Sequence, residues 1–299
     1  MPRSHPPTLL TLAKRTLKEE CGVERGTRIL LALSGGSDSM AMLHVLAVLA
    51  PKQGFFLCAH GVDHGLRAEA SAELDRAGAR CAELGVAFSR TVLAVPDGGN
   101  LQARARDARR AALIAAAELA QAELIATAHH AEDRAETVLI RLLRGSGPRG
   151  LAVLPPRSGI WIRPLCRARK SDVRLHLERH ALAFAEDPSN QNPRFLRTRV
   201  RSELLPLLSD LSPRIAEHLC ALADALEAGA GRAAPNVLDA FRDEGGVALP
   251  LNRAQRALVG RALAFGQRSA RVSLAGGREL SLHPVTLQPT CSAARPRKR

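Results

Sequence analysis

Two glycines and three serines surround one aspartate in Ser34-Gly35-Gly36-Ser37-Asp38-Ser39, directly after the apolar run Ile29 to Leu33 and before a helix-forming stretch. Glycines let the chain turn sharply and bring backbone N–H groups close to an anion. The serine hydroxyls add donors, and a helix N-terminus adds a favourable dipole. Such a loop binds phosphate, although SGGS alone would serve equally well as a turn whose Ser and Asp cap a helix. A carboxylate repels a phosphate, so Asp38 needs a reason to be there: holding a Mg2+ ion or orienting the loop. No Gly-Lys-Ser/Thr follows, which excludes a Walker A loop, and the loop itself does not have the GxGxxG spacing of dinucleotide folds.

A second set of chemistry-bearing residues follows two later apolar runs: Val62-Asp63-His64-Gly65-Leu66-Arg67, and Thr127-Ala128-His129-His130-Ala131-Glu132-Asp133-Arg134-Ala135-Glu136-Thr137. His64, Arg67, His129, His130, Asp133 and Glu136 are the candidates there. A zinc centre is the competing reading, but no third and fourth ligand stands at zinc spacing, and His130 or Glu136 could equally cap or pair on a helix. Arg106 and Arg109 are spaced i, i+3, and Arg197 and Arg201 i, i+4, so each pair would share a helix face suited to phosphate. A solvated basic face is the plainer explanation for any one of them.

These groups can meet only if the fold carries them to one edge. Short β-like runs at 28–33, 55–59, 87–93 and 124–127 alternate with helical stretches at 38–49, 68–83, 100–120 and 131–144, after a first helix at 8–20. That order predicts an α/β protein with a doubly wound parallel sheet. Ligands bind such sheets at the carboxyl ends of the strands, which is where the phosphate loop and both His-containing segments fall. Beyond Gly145 come a turn-rich stretch, the run Ile162-Arg163-Pro164-Leu165, a helix near 170–180, the polar loop Glu186 to Pro193 and a basic helix near 194–208. We expect a catalytic domain over 1–213 and a smaller, mostly helical C-terminal part over 214–291. That part ends in a hairpin (271–275 and 278–283 about Gly276-Gly277), followed by a basic tail over 292–299.

The 299 residues carry 43 Lys plus Arg against 29 Asp plus Glu, a formal charge of +14, and are 46% hydrophobic. That is a globular composition, which excludes a disordered chain. Only five of the basic residues are lysines. Arginine-dominated charge attracts polyanions, nucleic acid among them, although an Ala- and Arg-rich chain can also reflect base composition. Cys21, Cys58, Cys81, Cys166, Cys220 and Cys291 form no CxxC pair, which argues against an iron–sulfur or zinc-ribbon site. The apolar stretches are short or interrupted by Glu118 and Glu123, and the start has no secretory core, so a cytoplasmic protein with no membrane partner is expected. Oligomeric state is not legible.

Strand, SGGxDS and helix in this order resemble the PP-loop of ATP pyrophosphatases. Together with the His segments, Asn100-Leu101-Gln102-Ala103, Arg144 to Leu151 (RGSGPRGL), Glu186-Asp187-Pro188-Ser189-Asn190 and Arg197-Thr198-Arg199-Val200-Arg201, the chain resembles the tRNA(Ile)-lysidine synthetase family over about 29–208. The resemblance implies an adenine nucleotide alpha hydrolase-like fold. It also implies ATP as substrate with Mg2+, and partners that are free L-lysine and the isoleucine tRNA with a CAU anticodon. By it, residues 34–39 bind ATP, and Asp38, Asp133 and Glu136 are catalytic. His64, Arg67, Arg106, Arg109, His129, His130, Arg197 and Arg201 then contact tRNA or adenylate. The C-terminal part would grip the tRNA outside the anticodon.

The reaction so implied adenylates the 2-oxo oxygen of the wobble cytidine and lets the lysine ε-amine displace AMP. Free lysine, with a pKa of about 10.4, is protonated at neutral pH, so a carboxylate near the site is required; Asp133 is the first choice, as base or metal ligand, and Glu136 the second. Glu132, Arg134, Gln102 and Thr198 depart from the residues common in the family, Arg134 replacing a frequent Gln, and the C-terminal part is short for it. Two rivals remain: tRNA thiolation on the same loop, which calls for paired cysteines, and a non-catalytic basic RNA-binding protein on the same scaffold.

Overall fold

The computed structural model describes residues 7–63, 69–93, 101–185, 196–230, 271–273, 278–282 and 289–293. Its main sheet has the order β3-β2-β1-β4-β6-β5, built from β1 (Arg28–Leu33), β2 (Phe56–Asp63), β3 (Ala87–Val92), β4 (Leu124–Ala126), β5 (Arg157–Ser158) and β6 (Trp161–Ile162). The first four strands and β6 are parallel, and β5 turns back antiparallel on β6. The expected four-strand parallel sheet is therefore present, widened by the Trp161-Ile162 run. Strand order reverses between β1 and β4, and the crevice at such a reversal is where this architecture binds ligands.

Alternation along β1 decides what covers each face. Ile29, Leu31 and Leu33 face a core filled from α1 (Leu9–Arg15), α2 (Ser37–Gln53), α3 (Glu69–Glu83) and α7 (Lys170–Arg179). Leu30 and Ala32 face the other way, onto Leu113, Ala116 and Ala117 of α4 (Leu101–Leu119) and onto Ile125 and Trp161. Each fully buried leucine in such a strand contributes about 1.5–3 kcal/mol, so β1, buried from Ile29 to Leu33, is a firm base for the loop that follows it. Arg110 lies 4.4 Å over the Trp161 ring and covers the outer rim of the α4 face.

A third layer of contacts forms around α5 (Ala131–Leu143). Ala135 and Leu139 pack with Val200 and Leu205, from the segment that runs through α8 (Leu196–Arg199) into α9 (Leu205–Leu211). Val138 packs with Val153 and with Ala223 of α10 (Ile215–Ala230). Between them, α6 (Pro148–Leu151) closes the RGSGPRGL stretch. The backbone widens to π-helical turns at Thr16–Glu20 and Val200–Leu204, the second of which carries Arg201.

Contacts divide the chain into Met1–Ala228 and Gly229–Arg299. The boundary expected at Pro213 thus lies inside the first unit, because α10 seals the apolar back of α5. Of the second unit, the described residues form a three-stranded antiparallel sheet, β7 (Arg271–Ser273), β8 (Arg278–Leu282) and β9 (Pro289–Ala293). The expected 271–275/278–283 pairing is β7 with β8, and Ser292, expected to open the tail, is in β9. The Gly276-Gly277 turn and the helices expected there lie outside the described residues.

Candidate active site

Leu33 ends β1, and the chain turns at once through Ser34 and Gly35 into α2. Gly35 has φ +78°, and a Cβ there would stand 2.8 Å from the Glu73 carbonyl oxygen, so only glycine fits. Gly36, extended, is the N-cap of α2. Ser39 Oγ donates to the Gly36 carbonyl (2.9 Å) and accepts from the Ser34 N–H (3.3 Å), which holds the turn closed. Ala185 N–H donates to the Gly35 carbonyl at 3.0 Å and clips the loop from the far side. The first-turn N–H groups of α2 have no helical partner of their own, which makes this turn an anion cradle. Ser37 Oγ donates to Asp38 Oδ1 at 3.4 Å.

Across the strand reversal, β4 delivers Thr127 to His130 to the start of α5. His130 is the N-cap of that helix, and Asp133 Oδ2 accepts its backbone N–H at 3.1 Å. The same carboxylate oxygen lies 3.4 Å from His130 Nε2, which is 3.9 Å from Asp38 Oδ2, so the two loops meet through this ring. Glu132 Oε2 accepts from His130 Nδ1 (3.0 Å) and from the Lys170 N–H (2.9 Å). Glu136, 2% exposed, is gripped by Arg201 through Nε (2.6 Å) and Nη2 (2.9 Å) and by Arg197 Nε (3.1 Å). Asp133 Oδ1 takes Arg201 Nη2 at 3.3 Å and Arg197 Nη2 at 3.5 Å.

The protonation of these groups follows from their neighbours. Burial pushes the Asp38 carboxyl up, reinforced by the Asp133 charge, against the pull of His130 and Lys170. Burial also works against ionised Asp133, but His130, His129, the His130 N–H and Arg197 outweigh it and hold that carboxyl below its usual value. Burial disfavours charge on His130 as well, yet its bond to Glu132 and the charges of Asp133 and Asp38 raise it above 6.5. His129, bonded through Nδ1 to Thr127 Oγ1 at 3.0 Å, is pushed down to about 4 by burial, with Arg163, Arg197 and Arg106 adding to the effect.

Adjacent histidines of opposite character are directly observable. Followed by heteronuclear NMR of the imidazoles, His129 is expected to be neutral and His130 protonated between pH 4 and 6.5. The His130 contribution to stability is then complete below 6.5 and fades as pH rises through its raised folded value. The two titrating alike near 6.5 would contradict the geometry.

The expected residues 34–39, His129, His130, Asp133, Glu136, Arg197 and Arg201 therefore converge on one crevice. Arg106 acts electrostatically on His129, and Arg109 is held below its usual value by burial and by Arg106. His64 and Arg67 lie outside the described residues, as does Glu186 to Asn190. Two residues given no role by the sequence stand in the site: Glu132, noted only as a departure, orders His130 and the start of α7, and the charge of Lys170 reaches Asp38. A lone lysine among arginines at a helix start was the available signal. Arg134, suspect as a departure, has a role behind the site: Nε donates to the Val153 carbonyl (2.8 Å), and Nη1 pairs with Asp224 Oδ1 (2.6 Å).

A glycine–serine cradle at the strand reversal, with carboxylates and arginines facing it, defines a nucleotide-binding protein of the PP-loop class. The PP-loop domain family model matches residues 9–208. The tRNA(Ile)-lysidine synthase of Thermobifida fusca (strain YX) is 36% identical over 245 residues, 80% of this chain and 72% of that protein. Those of Xanthomonas campestris pv. campestris (strain 8004) and Aromatoleum aromaticum (strain DSM 19018 / LMG 30748 / EbN1) are 41% and 40% identical, over 64% and 62% of this chain. The chain belongs to the tRNA(Ile)-lysidine synthase family. It spans about half the length of those last two relatives, 45% and 44%. The U34-tRNA thiolase NcsA of Methanococcus maripaludis is similar in fold, with a TM-score of 0.61 at 20% identity over 72% of this chain and 78% of that one.

Proposed function

We propose that this protein uses ATP to join free L-lysine to C2 of the wobble cytidine of the isoleucine tRNA with a CAU anticodon, through an adenylated cytidine, with release of pyrophosphate and AMP. The observation that carries the reading is the juxtaposition of the phosphate loop with the Asp133 and Glu136 carboxylates, themselves closed under Arg197 and Arg201. In this reading the N–H groups and hydroxyls of 34–39 hold the β,γ end of ATP, and the cytidine oxygen attacks the innermost phosphorus.

The donor set suits a hard cation. Asp38 and Asp133 offer carboxylate oxygens, and the raised Asp38 carboxyl marks a negative charge that the protein alone leaves undercompensated. Asp38, with Asp133, would hold Mg2+, which supplies neutralisation of the departing pyrophosphate. Asp133, held ionised by its neighbours, is a weak proton acceptor for an ammonium of pKa about 10.4, and so is better suited to holding cationic partners. Glu136, bound by both arginines, anchors the arginine-bearing segment over the site. His130, whose affinity for a proton is raised by these carboxylates, positions Asp133 and Asp38. Arg106, Arg109, His64, Arg67 and His129 are proposed to meet tRNA or adenylate, and the residues beyond α10 to grip tRNA by charge and shape. The setting is the cytoplasm.

Thiolation fits less well. Burial pushes Cys21 and Cys220 up to about 11 and Cys81 and Cys166 to about 12, and Cys58 is raised too, so these thiols resist becoming the thiolates that sulfur transfer needs. Among the described residues, no helix is long and apolar enough to cross a membrane. The decisive assay supplies ATP, labelled lysine and a tRNA panel, and measures AMP release and label transfer. Lysine incorporation confined to the CAU isoleucine tRNA is expected. Sulfur-dependent modification, or RNA binding without AMP, would replace this reading with a rival.

A further inference from the structure

The packing of α2 against α7 gathers three imidazoles that the phosphate site does not use. His44 lies in the second turn of α2, and His176 and His180 stand four residues apart at the end of α7. His44 Nδ1 and His176 Nε2 are 2.9 Å apart. Ring centroids are separated by 5.1 Å (His44–His176), 4.6 Å (His44–His180) and 4.5 Å (His176–His180), with interplanar angles of 56°, 40° and 47°. One nitrogen from each ring lies within 4.8 Å of those from the other two. His176 is buried, His44 half-buried and His180 exposed, so the group opens to solvent on one side.

The three rings are mutually tilted rather than stacked face to face, and one nitrogen of each lies within 4.8 Å of those of the other two. Zinc–nitrogen bonds of about 2.0–2.1 Å in tetrahedral array put ligand nitrogens about 3.3 Å apart, a spacing that falls between the 2.9 Å of the His44–His176 pair and the 4.8 Å limit of the cluster. His180, the C-cap of α7, stands four residues after His176, the spacing at which two side chains at a helix end can share a metal. The third ligand comes from 132 positions away, so the sequence spacing could not reveal it. Burial, mutual proximity and the nearby Arg80 and Arg179 keep His44 and His176 unprotonated at neutral pH, the form that ligates. Nitrogen donors without a carboxylate select zinc-like ions over Mg2+ or Ca2+.

We propose that His44, His176 and His180 form a three-histidine site for a divalent transition metal of the zinc type, with the fourth position open to water beside His180. The site is separate from the phosphate loop, but its two helices hold that loop: α2 begins in it, and the chain leaving α7 reaches Ala185, whose N–H caps the Gly35 carbonyl. Metal there ties both arms together.

The test uses the full chain without an affinity tag, stripped by chelator and titrated with Co2+, then with Zn2+. The expected result is one equivalent of Co2+ with the intense visible bands of a low-coordinate nitrogen site, displaced stoichiometrically by Zn2+. A metal held by oxygens at Asp38 and Asp133 would be octahedral and pale, and so cannot mimic this. His180→Ala, exposed and tolerable to the fold, should weaken binding by more than about a hundredfold, beyond what loss of an outer partner costs. It should also abolish the Zn2+-induced rise in Tm. His44→Ala should behave alike, while His218→Ala, an exposed histidine on α10, should change nothing. A stripped wild-type chain that gives no saturable Co2+ spectrum, or a His180→Ala variant that binds as tightly as wild type, would overturn the assignment.

Discussion

Asp133→Asn is expected to lower lysine ligation by about 10²–10⁴-fold, the range spanned by loss of a positioned acid–base or charge-holding group. The substitution keeps the shape and the bond to the His130 N–H through the remaining carbonyl oxygen. Arg197 and Arg201 retain Glu136 as a partner, so the fold should survive. What disappears is a negative charge that His130, its backbone N–H and Arg197 hold ionised against its burial. Pyrophosphate exchange separates the roles. If Asp133 holds a cation near the leaving pyrophosphate, exchange falls with ligation. Exchange at the wild-type rate with ligation lost would instead make Asp133 the base for the lysine amine. Full activity in both assays would remove Asp133 from the chemistry.

The second large effect lies behind the site. Arg134 is fully buried, and its charge is met by Asp224, whose other oxygen takes Arg167 Nη1 at 2.5 Å; Arg167 in turn grips the Glu20 carboxylate. Asp224→Ala would leave the Arg134 guanidinium with the Val153 carbonyl alone. Stranding one partner of a buried pair costs about 3–5 kcal/mol; because Asp224 is about one-third exposed and water can partly replace it, about 2–3 kcal/mol is expected, read by urea unfolding. Arg134→Met with Asp224→Leu should recover most of the loss, since neither then buries an unpaired charge. A change under about 0.5 kcal/mol in Asp224→Ala, the scatter of ordinary surface substitutions, would show that the strut carries no stability.

Much of the first unit was legible because its signals are local. The apolar run of β1, the glycines after it and the helix-forming stretch that follows each depend on near neighbours, and the strand and helix bounds found for β1, α3 and β3 differ from those expected by a residue or less. Asp133 as a first-turn acid and Arg197 with Arg201 as a facing pair were readable for the same reason. The boundary at Pro213 was not. A Leu-Ser-Asp-Leu-Ser-Pro turn looks like a linker in one dimension, but α10 beyond it returns to bury Ala223 against Val138 and Val153. Nothing within α10 says which apolar surface it will cover.

The sequence by itself determined that a phosphate cradle follows the first strand and that histidines, carboxylates and arginines stand at the same sheet edge, because backbone periodicity and loop chemistry are written in consecutive residues. Only the tertiary structure decided which charge meets which: that Glu136 is tied up by two arginines while Asp133 stays ionised beside His130, that Arg134 serves a buried strut and that His44 finds His176. Those outcomes depend on burial and on separations of a few ångströms between groups dozens of residues apart, and Coulomb and desolvation energies change steeply over just that distance.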